Sequence, residues 1–573
     1  MNIDKNIWMF ANNDYRIDDT IIFNVWQHIR QKDSDNICYF VVRKTEHNKN
    51  IVSNLSQKER AYIVWRNSRK HERLSKSADF VFVSDSPNDA IYKNAALNFE
   101  VPIVVIPSKG ADPNDMLKSD GSNGCIFRFV AENISICRYL TIAKGFKPYQ
   151  IIYLPQLYTK NDFDRFKHSI NVIYSNIKYA QENSIAFVGF ALTHVGGTPI
   201  ATHALAEGLL EKGWLVKYIN LRIAAVVGIP QGVCIMGIED YYHKKCCNMM
   251  ILDRMCAKSL GLSHLKYDPA DFLPASGLKL RKTLRRLKVR ILVSTRESLH
   301  LFINEVHYNQ ISRRKKVYFF HCSSDVIEEN FGSAVFKLRD IKIGKAIFVT
   351  ESNRVALRNR FGISNYDEYC VLGNGLGASR MINRDEIQKP LLNNGIKVCW
   401  PVRIEENRKE DFENLFNFAS YLKIHDVGRI SISVYGRGAY VDSFKKRISD
   451  LGVGNIIFYK GLSCDMKKTY SECDAVVDFS KIQSFGMVYI ESVLNGKMIF
   501  CYRNEGSSEV LRDIPNAFFY SNEELLRKLQ SLKYMKLSEL RDNYNKIASR
   551  FSYSAIADRF VSFVDSSSEA MVD

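Results

Sequence analysis

Short apolar runs rich in β-branched residues alternate with longer amphipathic stretches along the whole chain. Near the N-terminus, the segments NICYFVV, FVFVS and VPIVVIP have the length and composition of buried strands. Similar runs recur later, among them SIAFVGF, GIKVCWPV, ISISVYG, IIFYKG, AVVDFS and MIFCY. Helical periodicity separates each run from the next. This alternation predicts an α/β protein in which crossover helices join parallel strands.

The chain is too long for one hydrophobic core, because its 573 residues exceed the usual size of a single domain. We predict domains at 1–178, 179–392 and 393–565, each built on a Rossmann-like sheet, and a disordered tail at 566–573. The segment SNIKYAQENS, at about 174–184, is interpreted as the linker between the first two domains.

The charge balance narrows the choice of partners. The sequence has 80 lysines and arginines against 62 acidic residues, a formal net charge of +18. This excess favours an anionic partner, such as a phosphate group or an anionic membrane face. No zinc-finger spacing and no aromatic RNA-binding motif occurs, so we expect no nucleic acid among the partners.

The distribution of apolar residues and cysteines indicates in which cellular compartment the protein works. No apolar run reaches 18 residues, and the segment MNIDKNIWMF lacks a basic start followed by an apolar stretch. We therefore expect a cytoplasmic protein without a transmembrane helix. The 13 cysteines form no framework, and adjacent Cys246 and Cys247, close to His243, cannot easily share one metal. We interpret the cysteines as free thiols.

A strongly basic segment, GLKLRKTLRRLKVR at 277–290, has two interpretations. It could lie on an anionic membrane surface, which would make the protein peripheral on the inner face of the cell membrane. It could equally be a solvated crossover helix that packs through Leu278, Leu284 and Leu287, which are spaced as on one helical face.

The segment SFGMVYIES has the pattern of a strand end, a tight turn and a helix. The free N–H groups of a helical first turn favour an anion such as a diphosphate. A carboxylate further along that helix, Glu491, suits a ribose diol, and Gln483 at the mouth of the turn could touch a transferred sugar. The alternative is an ordinary βα unit with a glycine turn. The first turn is predicted to consist of Ser484, Phe485, Gly486 and Met487.

Several motifs in order resemble a known family. FVGFALTHVGGTPIATHALAEGLLEKGWLVKYI, LRRLKVRILVSTRESLHLFI, VYFFHCSSD and CVLGNGL are followed by PVRIEENRKEDFENLFNFA, VYGRGAY and SFGMVYIESVLNGKMIFCYRNEGSSEVL. In this order they resemble a family 4 retaining glycosyltransferase over residues 183–565. The resemblance implies the GT-B fold, two Rossmann-like lobes facing a cleft, here preceded by an additional Rossmann-like α/β domain.

The resemblance implies roles for basic residues and glycines. Gly196 and Gly197 would let the backbone approach the diphosphate and sugar, because no Cβ intervenes; a plain βα turn is the alternative. Arg403 and either Arg408 or Lys409 would neutralise the departing diphosphate, and the spacing does not decide between these two. The alternative for them is a solvated charged loop.

Polar residues would complete the site. Glu491 would hold the ribose, and Glu509 would lie on a loop that closes over the donor, unless it is a carboxylate near the start of a helix. His321, at the end of the run VYFF, could hydrogen-bond the donor sugar or the acceptor; a structural histidine is the alternative. His194 is a weaker candidate.

One departure concerns Gln483, because the family pattern is Glu-x7-Glu and this chain has Gln483-x7-Glu491. Glutamine keeps the reach and the hydrogen bonding of glutamate but loses the charge. We expect an active enzyme because the ribose clamp, the basic residues and the glycine loop are intact.

The resemblance implies a nucleotide-diphosphate sugar, which we expect to be a UDP-sugar, as the donor. It implies front-face displacement with retention, without cofactor or metal. The acceptor would be a glycan or a lipid-linked glycan in bacterial cell-surface polysaccharide synthesis, whether capsule, teichoic acid or lipopolysaccharide. A catalytically inactive scaffold or a glycan-binding partner subunit of another transferase is the alternative.

The first 170 residues resemble the first lobe of CDP-glycerol glycerophosphotransferases, through NIWMFANNDYRIDDTIIFNVWQHIR, VPIVVIPSKGADPND and YQIIYLPQL. Lys109 stands where that family has its catalytic histidine, and Gln156 stands for an arginine. The resemblance therefore disfavours phosphotransfer. It leaves acceptor binding, homo-oligomer formation or membrane docking as roles of this domain.

Overall fold

The computed structural model of the chain divides into two compact units. The first unit comprises Met1–Val195, Leu209–Ser294 and Phe302–Val317, and the second comprises Gly196–Gly208, Thr295–Leu301 and Tyr318–Asp573. The structure describes residues 7–11, 21–32, 37–42, 44–66, 68, 78–83, 102–106, 126–131, 134–143, 146–154, 163–189, 192, 196–221, 229–237, 284, 287, 289–306, 315–331, 338–390, 392, 395–427, 429–463 and 465–566.

Nineteen described strands form three sheets. The first sheet contains β1 Ile7–Ala11, β2 Ile37–Val42, β3 Ile63–Trp65, β4 Phe80–Val83, β5 Ile103–Val105, β6 Ile126–Ala131 and β7 Ile151–Tyr153. All its strands are parallel, in the order β3-β2-β1-β4-β5-β6-β7. The strands β1 to β5 are mostly buried apolar runs, as expected for a parallel sheet that is covered on both faces.

The second sheet has the same strand order. It contains β8 Ser184–Gly189, β9 Leu215–Asn220, β10 Cys234–Gly237, β11 Ile291–Ser294, β12 Lys315–Phe320, β13 Ile343–Phe348 and β14 Tyr366–Val371. The order is β10-β9-β8-β11-β12-β13-β14. The strand pairs β8–β9, β9–β10, β8–β11 and β13–β14 are parallel.

The third sheet has five parallel strands, in the order β17-β16-β15-β18-β19. These strands are β15 Ile396–Pro401, β16 Ile430–Tyr435, β17 Ile457–Gly461, β18 Ala475–Asp478 and β19 Met498–Cys501. The central strand β15 pairs in register with β16 from Ile396 to Pro401. β18, next to it, is buried at all four residues.

Helices connect the strands, as parallel pairing requires. The described α-helices are α1 Ile21–Lys32, α2 Glu46–Asn54, α3 Gln57–Arg60, α4 Ile134–Ile142, α5 Phe163–Glu182, α6 Gly197–Glu211, α7 Glu297–Val306, α8 Ser324–Phe331, α9 Glu351–Phe361, α10 Lys409–Ile424, α11 Val441–Leu451, α12 Met466–Ser471, α13 Met487–Leu494, α14 Glu505–Val510, α15 Asn522–Ser531, α16 Leu537–Phe551 and α17 Tyr553–Asp565. The prediction of an α/β fold with parallel, Rossmann-like sheets is confirmed.

The order of the strands along the chain agrees with the sequence pattern. The strands of each sheet fall within one of the three predicted ranges, while the domain boundaries themselves stay predictions. The segment 174–184, interpreted as a linker, forms the second half of α5 and the start of β8, between the last strand of the first sheet and the first strand of the second. Its apolar residues Ile177 and Ala180 are buried, which is why it is ordered as a helix.

Some sequence expectations lie outside the described residues. These are His194, His243, Cys246, Cys247, Lys109, Gln156, most of 277–290 and nearly all of the tail. Within the basic segment, Leu284 and Leu287 are buried, but only Leu284 is helical, so both interpretations of the segment stay predictions. The eight cysteines that the structure describes are free thiols. In the described part of the chain, no helix is long and apolar enough to cross a membrane.

Candidate active site

The turn between β18 and α13 is fixed by a buried carboxylate. Asp478, the last residue of β18, is 1% exposed. It accepts hydrogen bonds from Trp400 Nε1 at 3.1 Å, from the Ser480 amide at 3.1 Å and from Tyr489 OH at 2.9 Å. Burial, and then the charge of Asp478, raise the pKa of Tyr489 well above its usual value, so this phenol stays a donor. The strand end is therefore held to the helix that follows.

Gly486 makes the turn possible. Its φ is +80°, and a Cβ at this position would lie 2.2 Å from the Tyr489 ring. The helix α13 begins one residue later, at Met487, and the first-turn amides of a helix attract anions. The predicted strand end, turn and helix are confirmed. The prediction that Ser484, Phe485 and Gly486 belong to the first helical turn is wrong, because the left-handed Gly486 cannot continue a helix.

Ser484 and Phe485 are held in the turn before α13. Ser484 Oγ donates to the His321 carbonyl at 3.2 Å, and its own carbonyl accepts from Thr350 Oγ1 at 2.9 Å. Phe485 is buried with its ring edge-on to Phe551, at a centroid distance of 5.4 Å. The turn therefore meets the ends of β12 and β13.

The glycine loop lies beside this turn. A Cβ on Gly196 would be 3.7 Å from Arg403 Nη2, and a Cβ on Gly197 would be 3.8 Å from Met487 Cγ. Neither glycine has a φ that only glycine favours. The turn itself therefore does not require glycine at either position. This favours the ligand-loop interpretation over a plain βα turn.

The three basic candidates are placed differently. Arg403 is exposed and makes no ion pair with any residue that the structure describes, so its charge is available to an anion. Arg408 donates to Asp411 and to Ser480 Oγ, both at 3.3 Å, and so faces the turn after β18. Lys409 pairs with Glu406 at 2.7 Å on the surface. Of the two alternatives left open by the spacing, Arg408 therefore lies nearer the turn.

Glu491 is a buried carboxylate on α13. Its side chain is 9% exposed, and it accepts from Arg380 Nη2 and from Tyr470 OH, each at 3.1 Å. Burial, and then the charge of Glu491, raise the pKa of Tyr470 well above its usual value, so the phenol is a neutral donor. Neither Arg380 nor Tyr470 was identified from the sequence.

His321 is buried in a polar setting. Its Nδ1 lies 3.1 Å from Asn374 Oδ1, and its ring stacks on Phe319 at 4.4 Å. With the Asn374 amide oriented in this way, its oxygen can only accept, so Nδ1 carries the proton and Nε2 keeps a lone pair. Burial lowers the pKa of His321 from 6.5 to about 4, so the ring is neutral near pH 7.

Glu297 supports the same segment and was missed by sequence reasoning. It is fully buried, and its Oε1 accepts from the His321 amide at 2.6 Å and from the Cys322 amide at 2.8 Å. Burial, and then the charge of Glu297, raise the pKa of the Cys322 thiol well above its usual value. The only sequence signal was a lone acidic residue after the run ILVSTR.

Glu509 and Gln483 are placed as follows. The Glu509 carboxylate accepts from the Glu351 amide at 2.7 and 3.0 Å, at the first residue of α9, which is the helix-start contact that the sequence left as an alternative. Burial raises the pKa of Glu509. Its donor-binding role stays a prediction.

Gln483 is half-buried, and its backbone carbonyl accepts a hydrogen bond from the Gly506 amide at 2.9 Å.

The second unit contains all of the predicted site residues that the structure describes. Gly196, Gly197, Arg403 and Met487 are brought together, whereas Lys409 pairs at the surface. An exposed guanidinium, a glycine loop and a helix N-terminus form an arrangement suited to a diphosphate. Among the residues that the structure describes, no group of three or more His, Cys, Asp or Glu could hold a metal ion.

Comparison with known proteins identifies the fold. Residues 397–551 match the family described as Glycosyl transferases group 1. No curated protein shows significant similarity to the sequence.

Similar solved structures include the following three. HepE from Anabaena, solved with UDP and glucose, is 14% identical with a TM-score of 0.50, covering 67% of this chain and 99% of that one. A variant of TarM from S. aureus, solved with UDP, Fondaparinux and alpha-GlcNAc-glycerol, is 12% identical with a TM-score of 0.50, covering 67% and 100%. Sucrose-phosphate synthase from Thermosynechococcus elongatus is 13% identical with a TM-score of 0.50, covering 67% and 98%. The fold is therefore that of GT-B glycosyltransferases, with an additional N-terminal α/β region.

Proposed function

We propose that this protein is a retaining glycosyltransferase that transfers a sugar from a nucleotide diphosphate, with a UDP-sugar as the donor. The observation that carries the proposal is the grouping of the Gly196–Gly197 loop, Arg403 and the N-terminus of α13 within one compact unit. The group 1 match over residues 397–551 and the UDP bound in similar structures support it.

Donor binding is the first step. The diphosphate lies against the first amides of α13 and receives the positive charge of Arg403. Arg408, which faces the turn after β18 from the start of α10, contributes a second charge. The glycine loop admits the phosphates because no Cβ occupies that space. Glu491 accepts hydrogen bonds from the ribose hydroxyls.

The transfer itself is a front-face displacement. The bond between sugar C1 and the diphosphate oxygen breaks, and the bond between C1 and the acceptor oxygen forms on the same face. The acceptor proton passes to the departing diphosphate, so no protein nucleophile is needed. Arg403 and the helix N-terminus stabilise the charge on the leaving group, which is the task that a metal performs in other transferases.

His321 contributes a neutral imidazole to this reaction. Because its pKa is lowered to about 4, it does not protonate the leaving group near pH 7. Its Nε2 lone pair instead accepts a hydrogen bond from a hydroxyl of the sugar or the acceptor. Gln483, at the mouth of the turn, positions another sugar hydroxyl through its amide.

The acceptor is proposed to be a glycan or lipid-linked glycan of a bacterial cell surface. The TarM variant solved with alpha-GlcNAc-glycerol supports a glycan-type acceptor, and the net charge of +18 supports an anionic polymer or membrane nearby. In this setting the protein works in the cytoplasm, at the inner face of the membrane, through the basic segment 277–290.

A second candidate is a catalytically inactive GT-B scaffold that binds a glycan or another transferase. Gln483 favours it, because the family has a glutamate there, and losing a charge that stabilises the transition state would cost several kcal/mol, at roughly 1.4 kcal/mol per tenfold in rate. Donor binding and turnover distinguish the two candidates.

The test incubates the purified protein with UDP-, GDP-, ADP- and CDP-linked sugars. Nucleotide release and melting temperature are followed together. One donor, expected to be a UDP-sugar, raises the melting temperature of the wild type and is slowly hydrolysed. Glu491→Ala loses both effects, whereas Glu46→Ala, which removes an exposed carboxylate on α2, keeps both.

Two outcomes would contradict the proposal. If no donor raises the melting temperature, nucleotide-sugar binding is excluded and the scaffold is favoured. If a donor binds but no acceptor or water ever receives its sugar, Gln483 marks an inactive site. The stereochemistry at C1 of any product, read by NMR, then tests retention.

A further inference from the structure

The carboxylate proposed to hold the ribose already has two donors. Arg380 Nη2 lies 3.1 Å from Glu491 Oε1, and Tyr470 OH lies 3.1 Å from Oε2. Each oxygen therefore has one partner within the described part of the chain. An ionised carboxylate offers about four lone-pair sites, two on each oxygen. One site on each oxygen remains, which matches the two hydroxyl hydrogens of a ribose cis-diol.

The two donors are suited to hold the carboxylate in one orientation. Tyr470 is fully buried, and the raised pKa of its phenol keeps the proton in place for donation. The side chain of Arg380 is 34% exposed, so it lies at the rim, whereas the side chain of Glu491 is 9% exposed. The guanidinium charge offsets part of the cost of burying a carboxylate.

The backbone of Arg380 is tied to the helix that carries Glu491. Asn495 Nδ2 donates to the Arg380 carbonyl at 2.9 Å and to the Glu491 carbonyl at 2.7 Å. The Ile382 amide donates to the Leu494 carbonyl at 3.1 Å. Arg380 is thus fixed against the C-terminal end of α13. A mobile surface arginine would lack these bonds.

Arg380 also leaves one donor unused. Its Nε is buried and has no hydrogen-bond partner among the residues that the structure describes. A buried unpaired N–H is unfavourable. The contact between Arg380 and Glu491 therefore leaves one N–H group of the guanidinium unpaired. This is expected if the contact serves to position the carboxylate rather than the arginine.

We propose that Arg380, together with Tyr470, positions the Glu491 carboxylate so that its two free lone-pair sites receive the ribose 2′- and 3′-hydroxyls, and that Arg380 thereby sets the preference for ribonucleotides over 2′-deoxyribonucleotides. The proposal rests on the proposed function, because it takes Glu491 as the ribose-binding residue. Arg380 is a positioning residue that acts through Glu491.

The test measures the affinity of the full-length protein for UDP and for 2′-deoxy-UDP by calorimetry. The wild type binds UDP about tenfold more tightly or better, because the deoxy ligand leaves a buried charged acceptor without one donor. Arg380→Gln lowers this ratio to about threefold or less, since an unanchored carboxylate can rotate away from the diol. Arg380→Lys, which keeps the charge, restores part of the ratio.

Matched controls separate positioning from folding. Arg384→Gln removes a neighbouring exposed arginine, whose partner Asp385 is at 3.7 Å, and keeps the wild-type ratio. Tyr470→Phe removes the other donor and lowers the ratio as Arg380→Gln does, which tests the proposal even if Arg380→Gln misfolds. Melting temperatures without nucleotide show whether each variant is folded.

The outcomes are distinguishable. A wild-type ratio that is unchanged in folded Arg380→Gln or Tyr470→Phe overturns the positioning role and leaves the proposed function intact. A wild type that binds neither nucleotide overturns the proposed function and this inference with it. A wild type that binds both nucleotides equally overturns the inference alone.

Discussion

The first and second sheets have the same strand order. In the described part of the chain, residues of the predicted site, such as Gly196, Gly197 and His321, follow strands of the second sheet and not of the first. In both sheets the first strand lies third from one edge. The next two strands are added outwards on one side of it, and the following four are added on the other side. After β8 the chain passes through Gly196 and Gly197 into α6. After β1, residues 12–20 contain no glycine before α1 begins at Ile21.

The difference shows that topology and chemistry are separate properties of this chain. A parallel sheet provides a place for a ligand at the carboxyl ends of its strands, but the residues there decide whether a phosphate can approach. In the second unit, a glycine loop, an exposed arginine and a helix N-terminus lie together. In the first region, which is the predicted domain 1–178, the helix α1 after β1 supplies packing, as the buried Trp26 shows.

The largest expected effect concerns the packing of the first region. Trp26 is fully buried, its Nε1 donates to the Cys38 carbonyl at 3.1 Å, and its ring packs on Phe23 and Phe40. Trp26→Ala should lower the free energy of unfolding by about 3–5 kcal/mol, through lost contacts and a cavity. Urea denaturation measures the loss. The affinity of the folded protein for UDP should stay within about twofold, since Trp26 touches no candidate site residue.

If folded Trp26→Ala protein loses its affinity for UDP, the contrast between the first region and the second unit is wrong, because the first region then takes part in donor binding. Phe40→Leu, a milder change in the same cluster, serves as the second variant if Trp26→Ala does not fold.

The second expected effect is a pH dependence of the free energy of unfolding, caused by two buried histidines of the second unit. Burial lowers the pKa of His300 from 6.5 to about 3 and that of His321 to about 4. Between these values and 6.5 the unfolded chain binds more protons than the folded chain, so stability falls as pH falls through this window. For His321 the loss between pH 6.5 and pH 4 is about 2–3 kcal/mol, at 1.4 kcal/mol per pH unit.

The measurement is the free energy of unfolding, from urea titrations at several pH values between 7 and 4. His321→Asn and His300→Gln should each flatten the profile relative to the wild type, whatever they do to stability at pH 7. Parallel profiles for wild type and both variants would contradict the neutral, buried state of these rings.

The third prediction compares glycines with different tasks. Gly197→Ala should leave the melting temperature unchanged or higher, because the new Cβ would meet only Met487 Cγ at 3.8 Å and alanine favours a helix start. It should weaken UDP binding about 100-fold, since the methyl group occupies the space of the diphosphate and costs one charged hydrogen bond or more. Calorimetry with UDP measures this effect.

Gly486→Ala is the matched control. Gly486 has a φ of +80°, and the Cβ of an alanine at this position would lie 2.2 Å from the Tyr489 ring, so alanine would be strained there. The free energy of unfolding should therefore fall by about 2 kcal/mol or more. If Gly197→Ala instead unfolds the protein while binding UDP normally, the glycine loop is a structural turn and the contrast with the first region disappears.

The smallest expected effect is at Gln483. Gln483→Glu should change the rate of donor hydrolysis by less than about tenfold, which is 1.4 kcal/mol, because we expect this side chain to position a hydroxyl. Gln483→Ala should lower the rate more than Gln483→Glu does. A gain well above tenfold for the glutamate variant would show that the missing charge limits the natural enzyme.

Much of the fold could be predicted from the sequence, because strands and helices report their burial through local periodicity. SIAFVGF, GIKVCWPV and AVVDFS are strands β8, β15 and β18, as their apolar content predicts. The helix start after SFG was misplaced, because the left-handed Gly486 excludes the residues before it. The helical structure of the segment 174–184 was not predicted, because its polar residues hide the buried Ile177 and Ala180.

The site was predictable only where a residue type carries its own signal. A double glycine, a basic segment and a carboxylate on the helix after SFG are visible without coordinates. Glu297, Arg380 and Asp478 are not, because each is a single charged residue whose partner lies far along the chain. Arg380 and Glu491 are separated by 111 positions, and Glu297 and His321 by 24.

The sequence by itself determined the α/β pattern, the parallel strands, the glycine loop and the carboxylate of α13, because each depends on neighbouring residues. Only the tertiary structure decided that Arg408 faces the turn, that Lys409 pairs at the surface, that His321 is neutral, and that Arg380 holds Glu491. These properties depend on burial and on contacts between distant segments, which local periodicity does not encode.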